Sequence, residues 1–289
     1  MKLISSKEAH LDMRKSIFNT IIVLIAAMAI GFMFSGCSKD SSSKVTVKGS
    51  TTVLPITQKA AEVFYDKHKI GVSISGSGSG NGIKALLDGS TDIANASREM
   101  KGKELKLAKE KGIKVKEVAV ALDMIVPVVH PDNPVKKISM DQLKAIYDGS
   151  ISNWKKLGGK DENIVVISRD TSSGTYEVWG EMVLKGADVR NDALLQASNG
   201  AIASAISKNP KAIGYVGYGY LDESLQALKV NGVEATIENG KSGKFPISRK
   251  LYMYINEETI SADAKKFIDF LMSDEGQDIV KEIGFLPVK

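Results

Sequence analysis

Three short segments of the chain concentrate glycine and hydroxyl side chains: Gly49-Ser50-Thr51-Thr52, the run Ser75-Gly-Ser-Gly-Ser-Gly-Asn-Gly82, and Arg169-Asp170-Thr171-Ser172-Ser173-Gly174-Thr175. Each follows a β-type run and precedes a helix-type pattern. A turn of that kind aims unpaired backbone N–H groups, at the positive end of a helix, into one spot, which suits an anion. Hydroxyls add donors, and glycine lets the backbone approach closely. One such turn is ordinarily a helix cap or a loop. Three in one chain, one of them with an arginine, make a stronger signal. In an open α/β sheet these turns lie at the carboxyl ends of strands, where ligands bind, so they can converge on one point.

Other phosphate chemistries do not fit. Gly240-Lys241-Ser242 ends like a P-loop, but Ala235 stands where the first glycine is needed. The glycines from Gly76 to Gly82 miss the dinucleotide spacing, because Asn81 and Ile83 occupy required glycine positions. No serine sits in a nucleophile elbow. The histidines, His10, His68 and His130, are scattered, and Cys37 is the single cysteine, so neither a zinc site nor a disulfide is expected. A phosphate-ester hydrolase needs a metal cluster or an activated nucleophile. Neither is legible, so the expectation is a binding protein, not an enzyme, with no cofactor.

The elements that must hold these turns follow a β-α-β-α-β rhythm. Val45–Lys48 reads as a strand, and Val53, Ile56, Ala60 and Val63 mark one face of a helix with Pro55 in its first turn. Ile70–Ile74 is a second strand, Ile83, Leu86 and Leu87 a second helix, and Asp92–Ala96 a third strand. This alternation argues for a sheet covered on both faces. Val115–Val129 is a long β-type run interrupted by Asp123 and Pro127, suited to leaving one domain and entering another. Ser139-Met-Asp-Gln142 is a capping box, and Gly149 stops its helix. Further strands are expected at Ile164–Ile167, Ile213–Val216 and Leu251–Ile255. Helices are expected from Ser173 and Asn199 and over Ser261–Met272 and Asp274–Ile283. No internal repeat is visible.

The chain's 289 residues suffice for two modest domains, and 25% charged residues are ordinary for a globular protein. The outlier is the start. Arg14 and Lys15 precede Ile17–Phe34, which has no polar side chain beyond Asn19 and Thr20, and Ser35-Gly36-Cys37 follows. A basic stretch, an apolar run and small residues before a cut describe a signal peptide. Ser-Gly-Cys followed by a serine tract reads as a lipoprotein box rather than the end of an uncleaved transmembrane anchor, with residues 1–36 removed and lipid on Cys37. Residues 37–44 then form the lipidated cysteine and a polar tether, and Met13 is an alternative start. Without residues 1–36 the chain has 35 Lys/Arg and 32 Asp/Glu, a net charge of +3. That is too mild for a nucleic-acid binder and does not repel an anion.

With these segments in hand, the chain resembles the phosphate-binding proteins of ABC-type phosphate importers. The resemblance rests on Gly49-Ser-Thr-Thr52, Gly78-Ser-Gly-Asn-Gly-Ile-Lys84, Ile151-Ser-Asn-Trp-Lys-Lys-Leu-Gly-Gly159 and Ser168-Arg-Asp-Thr-Ser-Ser-Gly-Thr175. It extends through Ala212-Ile-Gly-Tyr-Val216, Phe245-Pro-Ile-Ser-Arg249, Ser273-Asp-Glu-Gly-Gln277 and Gly284-Phe-Leu-Pro287. It implies a periplasmic-binding-protein type II fold of class α/β. Each of two lobes has a central mixed sheet flanked by helices, with two crossing strands and a ligand cleft between them. Residues 45–122 plus 223–289 are expected in lobe 1 and 123–222 in lobe 2. By motif, phosphate contacts fall on Thr51, Thr52 and Ser79 in one lobe and on Arg169, Ser173, Gly174 and Thr175 in the other, with Ser97 a further candidate. Many members place an aspartate after an Ala-Ser pair; this chain has Ala96-Ser97-Arg98, and Arg98 cannot accept a proton from a ligand. Asp123 is then the candidate carboxylate, either facing the ligand or bonded to backbone at a hinge. The implied partners are inorganic phosphate, the permease and ATPase subunits of an importer, and the outer face of the cytoplasmic membrane through the lipid, with the protein a monomer and no nucleic acid. Another tetrahedral oxyanion such as sulfate, a hydrolase, and a sensor that reports phosphate to a kinase are the competing readings.

Overall fold

The computed structural model describes residues 44–289; the apolar run and Cys37 lie outside the described residues. The chain opens with β1 (Val45–Gly49), α1 (Leu54–His68), β2 (Val72–Gly76), α2 (Ser79–Leu87) and β3 (Ile93–Ala96), the expected alternation. β2 and β3 both run parallel to β1. A helix not marked by the sequence, α3 (Gly102–Glu110), follows, capped by the Glu104 carboxylate on the Lys101 N–H at 2.8 Å. β4 (Val115–Val129) is the long strand expected, roughly 50 Å at about 3.3 Å per residue.

β4 organises the molecule. Its first part pairs antiparallel with β11 (Ser248–Asn256), which pairs in turn with β3. From Ile125 onward it pairs instead with β8 (Ala212–Gly217). β6 (Val165–Arg169) runs parallel to β8, and β7 (Leu194–Gln196) runs parallel to β6. The order β2-β1-β3-β11-β4-β8-β6-β7 is therefore two mixed half-sheets sharing one strand. Helices α4 (Met140–Tyr147), α5 (Gly174–Trp179, extended by a π-helical run to Leu184) and α6 (Asn199–Ile206) cover the second half. The Ser139 cap behaves as the sequence implies: its hydroxyl accepts from Gln142 N–H at 3.1 Å, while the Gln142 amide oxygen accepts from Ser139 N–H at 2.9 Å.

Two main apolar cores result. One holds Val47, Ile56, Phe64, Val120, Met253 and Phe267, drawing on α1, α8 (Ala262–Leu271) and α9 (Asp274–Glu282). The other holds Ile125, Val128, Leu143, Trp154, Trp179 and Tyr215. Asp123 lies on β4 between the last residues of the first core, Val120 and Ala121, and the first of the second, Met124.

The expected lobe boundary at residue 223 needs correction. Leu225, Leu228, Val230, Phe245 and Ile247 all pack in the second core. The cause is strand pairing. β9 (Gln226–Ala227) adds to β4 at Val128 and Val129, and β10 (Lys229–Val230) pairs with β5 (Lys137–Ile138). After β10 comes α7 (Ile237–Lys241), and the chain returns to the first core only along β11. The C-terminal tail also reaches the junction: Leu122 and Leu286 bridge antiparallel, and Leu286 enters the second core while Phe285 stays in the first.

Candidate anion-binding site

The three glycine-hydroxyl turns do converge. The first follows β1, where Gly49 has φ +135° and a side chain on it would fall 2.1 Å from the Asn95 carbonyl oxygen. The Gly49 carbonyl joins the first two turns, accepting from Ser77 N–H at 2.8 Å and Gly78 N–H at 2.9 Å. The second turn opens α2 at Ser79, whose hydroxyl accepts from Ser97 N–H at 3.0 Å and lies 3.2 Å from the Ser97 hydroxyl. The third turn comes from the other lobe. A Cβ on Gly174 would sit 2.5 Å from the Ser79 hydroxyl oxygen and 2.8 Å from that of Ser97, so only glycine lets α5 approach. Across the same gap Gly80 N–H donates to the Ser172 carbonyl at 3.0 Å.

Thr52 is the meeting point of both lobes. Its hydroxyl lies 3.1 Å from that of Thr175 and accepts from the Asn199 amide at 3.0 Å and from Arg249 Nη2 at 3.3 Å. Asn199 donates also to the Thr51 hydroxyl at 3.1 Å and accepts from Gly217 N–H at 3.1 Å. Tyr220 donates its hydroxyl to the Thr51 carbonyl. Thr51, Thr52, Ser79, Ser97, Arg169, Ser173, Gly174 and Thr175 are all buried. Ser173 is partly committed: its hydroxyl caps α5 by accepting from Tyr176 N–H at 3.2 Å, and its N–H bonds to the Asp170 carbonyl.

Arg169 ends β6 and is 1% exposed. It donates from Nε to the Gln196 carbonyl at 3.0 Å and from Nη2 to the Ala197 carbonyl at 2.9 Å. No carboxylate forms an ion pair with it among the described residues. Burial pulls its pKa below the usual arginine range, with Asp170 only partly opposing. Beneath it the Tyr215 hydroxyl accepts from Arg169 N–H at 3.2 Å and lies 2.9 Å from the Ser168 hydroxyl. Tyr215 is itself held by face-to-face stacking on Trp179, with centroids 4.2 Å apart.

Asp123 is also brought to this place, by way of Arg249. One carboxylate oxygen accepts from Arg249 Nε at 2.9 Å and Nη2 at 2.8 Å, and the other accepts from Tyr218 N–H at 2.9 Å. Burial pushes the Asp123 carboxyl up, and the Arg249 charge works against that rise. Arg249 Nη1 reaches the Ser97 carbonyl at 3.1 Å, so this cation spans Asp123, Ser97 and Thr52. Of the two buried cations, Arg249 is paired with Asp123 and Arg169 has no ion-pair partner among the described residues, so the buried site carries a surplus positive charge. Arg98, by contrast, turns to Glu104 and Glu177.

Sequence reasoning assigned no site role to Asn199 or Arg249. The first reads there only as the start of a helix, the second only as part of a resemblance motif. An asparagine directly after a serine cap and an arginine entering an apolar strand were the available signals, and each is common on surfaces. No helix of the described residues is long and apolar enough to cross a membrane, and no three or more His, Cys, Asp and Glu among them are placed to hold a metal ion.

Comparison with known proteins agrees with this geometry. A family model described as the PBP superfamily domain matches residues 37–275. The phosphate-binding protein PstS of Borreliella burgdorferi is 33% identical over 282 residues, covering 93% of this chain and 99% of that protein. PstS of Bacillus subtilis is 33% identical, covering 86% of this chain and 82% of its own length. Among solved structures, a putative phosphate ABC transporter substrate-binding protein from Clostridium perfringens, with bound phosphate, is 40% identical with a TM-score of 0.81. It covers 86% of this chain and is itself covered completely. The two-lobe fold, the convergent turns and these relatives together place the chain in the PBP superfamily and, within it, in the family of the phosphate-binding proteins PstS.

Proposed function

We propose that this chain captures inorganic phosphate outside the cytoplasmic membrane and presents it to an ABC-type phosphate importer. The observation that carries this reading is Arg169, a buried cation among the three anion-type turns with only carbonyl oxygens as hydrogen-bond acceptors. An arginine buried without a counter-charge is costly. A phosphate anion supplies that charge, and the planar guanidinium grips two of its oxygens. Thr51, Thr52, Ser79, Ser97, Thr175, the Ser173 hydroxyl and the backbone of Gly174 complete the shell. Charge-assisted hydrogen bonds contribute about 1.5–3 kcal/mol each. Several of them, less desolvation and closure, fit micromolar affinity or tighter, about −8 kcal/mol or beyond. The work is capture, not catalysis, and an importer that favours the closed lobes over the open ones reads occupancy directly.

Selectivity falls to Asp123 on this reading. Near neutral pH phosphate keeps at least one proton and sulfate none, so a buried carboxylate accepts from the one and repels the other. We further assign the anchor to Cys37, lipidated after removal of residues 1–36; these positions lie outside the described residues. A doubly acylated cysteine suffices for stable membrane attachment. Cys37→Ala should release the protein from membranes or leave an unprocessed precursor, and an unmodified intact N-terminus by mass spectrometry would refute the anchor.

Titration calorimetry on the chain from residue 38 onward tests the main reading. Phosphate should bind at micromolar affinity or tighter and sulfate more weakly. Absence of phosphate binding, or equal affinities for both anions, overturns it.

A further inference from the structure

We infer that Glu177, with Arg98 and Lys101, forms an ion-pair latch that holds the two lobes closed and sets how long the ligand stays. Glu177 lies on α5 in the second lobe, two residues beyond Thr175. Both of its ion-pair partners come from the first lobe: Arg98 Nε at 2.5 Å and Lys101 Nζ at 2.8 Å from the same Glu177 oxygen. The carboxylate thus has its counter-charges only when the lobes are in contact.

Arg98 is braced to receive it. Its Nη1 and Nη2 reach the two Glu104 oxygens at 2.8 Å each, and Nη1 also donates to the Glu99 carbonyl at 2.8 Å. Glu104 in turn caps α3. The fork is spent inside the first lobe, and the Nε edge alone faces α5. The side chains of Arg98 and Glu177 are 6% and 11% exposed, so closure takes this pair out of water and opening returns it. Contact is tight around it: a Cβ on Gly174 would come 3.0 Å from Arg98 Cγ.

The latch is tied to the ligand donors on both sides. Arg98 follows Ser97, whose N–H donates to the Ser79 hydroxyl. Glu177 is on the same helix as Gly174 and Thr175. Movement of α5 toward an anion therefore carries Glu177 toward Arg98, and the pair in turn holds α5 in place. Glu177 is a positioning residue, since it acts through α5. Where the resemblance led to an expectation of an aspartate for the ligand, this chain has an arginine that serves closure.

The inference rests on the phosphate reading for its kinetic and melting-temperature arms only. In the full chain, detergent-solubilised, stopped-flow release of phosphate should be about tenfold faster in Glu177→Gln, with association changed less than twofold, because losing one partner of a buried charge pair acts on the dissociation rate. Lys101→Ala, half exposed, should change release by about twofold or less. Small-angle scattering supplies an arm independent of any ligand: Glu177→Gln should have the larger radius of gyration under identical conditions. The melting temperature without phosphate should stay near wild type, while the rise on adding phosphate shrinks. Wild-type release with an unchanged radius overturns the latch, as does equal loss of melting temperature with and without phosphate. If the wild type fails to bind phosphate, the functional reading falls, and the radius of gyration still decides the latch.

Discussion

Arg98 and Arg169 are both buried, both stand at the carboxyl end of a strand, and both adjoin a glycine-hydroxyl turn, yet their surroundings differ in charge. Around Arg98, burial pulls the pKa down, but Glu104 and Glu177 outweigh it and the guanidinium ends above its usual range. Around Arg169, burial prevails and the group ends below. One cation has its charge balanced by the protein's own carboxylates and ties its lobes together. The other is held by carbonyl dipoles and left with charge to offer. What a buried arginine is for follows from which carboxylates the fold sets beside it.

That contrast can be broken by substitution. Arg98→Met should give the largest effect, because in a poorly solvated place it takes from Glu104 its ion-pair partner and leaves Glu177 with Lys101 alone. Removal of one partner from a buried ion pair costs 3–5 kcal/mol, and the partial exposure of the two glutamates puts the loss near about 3 kcal/mol in urea unfolding. A loss below about 1 kcal/mol would mean that the network is solvated and adds little.

Asp123→Asn should come next, at about 2 kcal/mol, since the amide keeps hydrogen bonds to Arg249 but not its charge balance. The same variant resolves the two roles open for Asp123. A narrowed gap between phosphate and sulfate affinity supports the proton-accepting filter. Reduced phosphate affinity with sulfate still rejected assigns Asp123 to holding Arg249 and the Tyr218 turn.

Arg169→Met should have the smallest effect on folding and a specific effect on binding. Phosphate affinity by calorimetry should fall at least tenfold, about 1.4 kcal/mol. Ligand-free stability should stay within about 1 kcal/mol of wild type, because replacing an uncompensated buried charge by an apolar side chain of similar volume is often neutral or stabilising. Should Arg169→Met unfold as readily as Arg98→Met, the two arginines do the same work and the contrast is lost.

Much of the frame is legible in the sequence. The turns at Gly49, Ser79 and Arg169, the long strand through Asp123 and the Ser139 capping box are local patterns, and all recur where expected. The short strands β7, β9 and β10 were not readable, because two or three residues carry no periodicity. The pairing of β9 with β4 and of β10 with β5 is also why residues 223–247 pack with the second core.

The site divides along the same line. Residue types and their spacing determined that this chain presents anion-type turns at strand ends, since a helix start, a cap and a glycine turn depend on hydrogen bonds within a few residues. Tertiary structure alone decided which charges meet. Arg98 finds Glu177 across 79 positions, Asp123 finds Arg249 across 126, and Asn199 finds Thr52 across 147. Those meetings depend on β4 crossing between two half-sheets and on α5 packing onto the opposite lobe. No local pattern encodes which distant carboxylate a buried cation will find, and that choice separates the arginine left for a ligand from the arginine that holds the lobes closed.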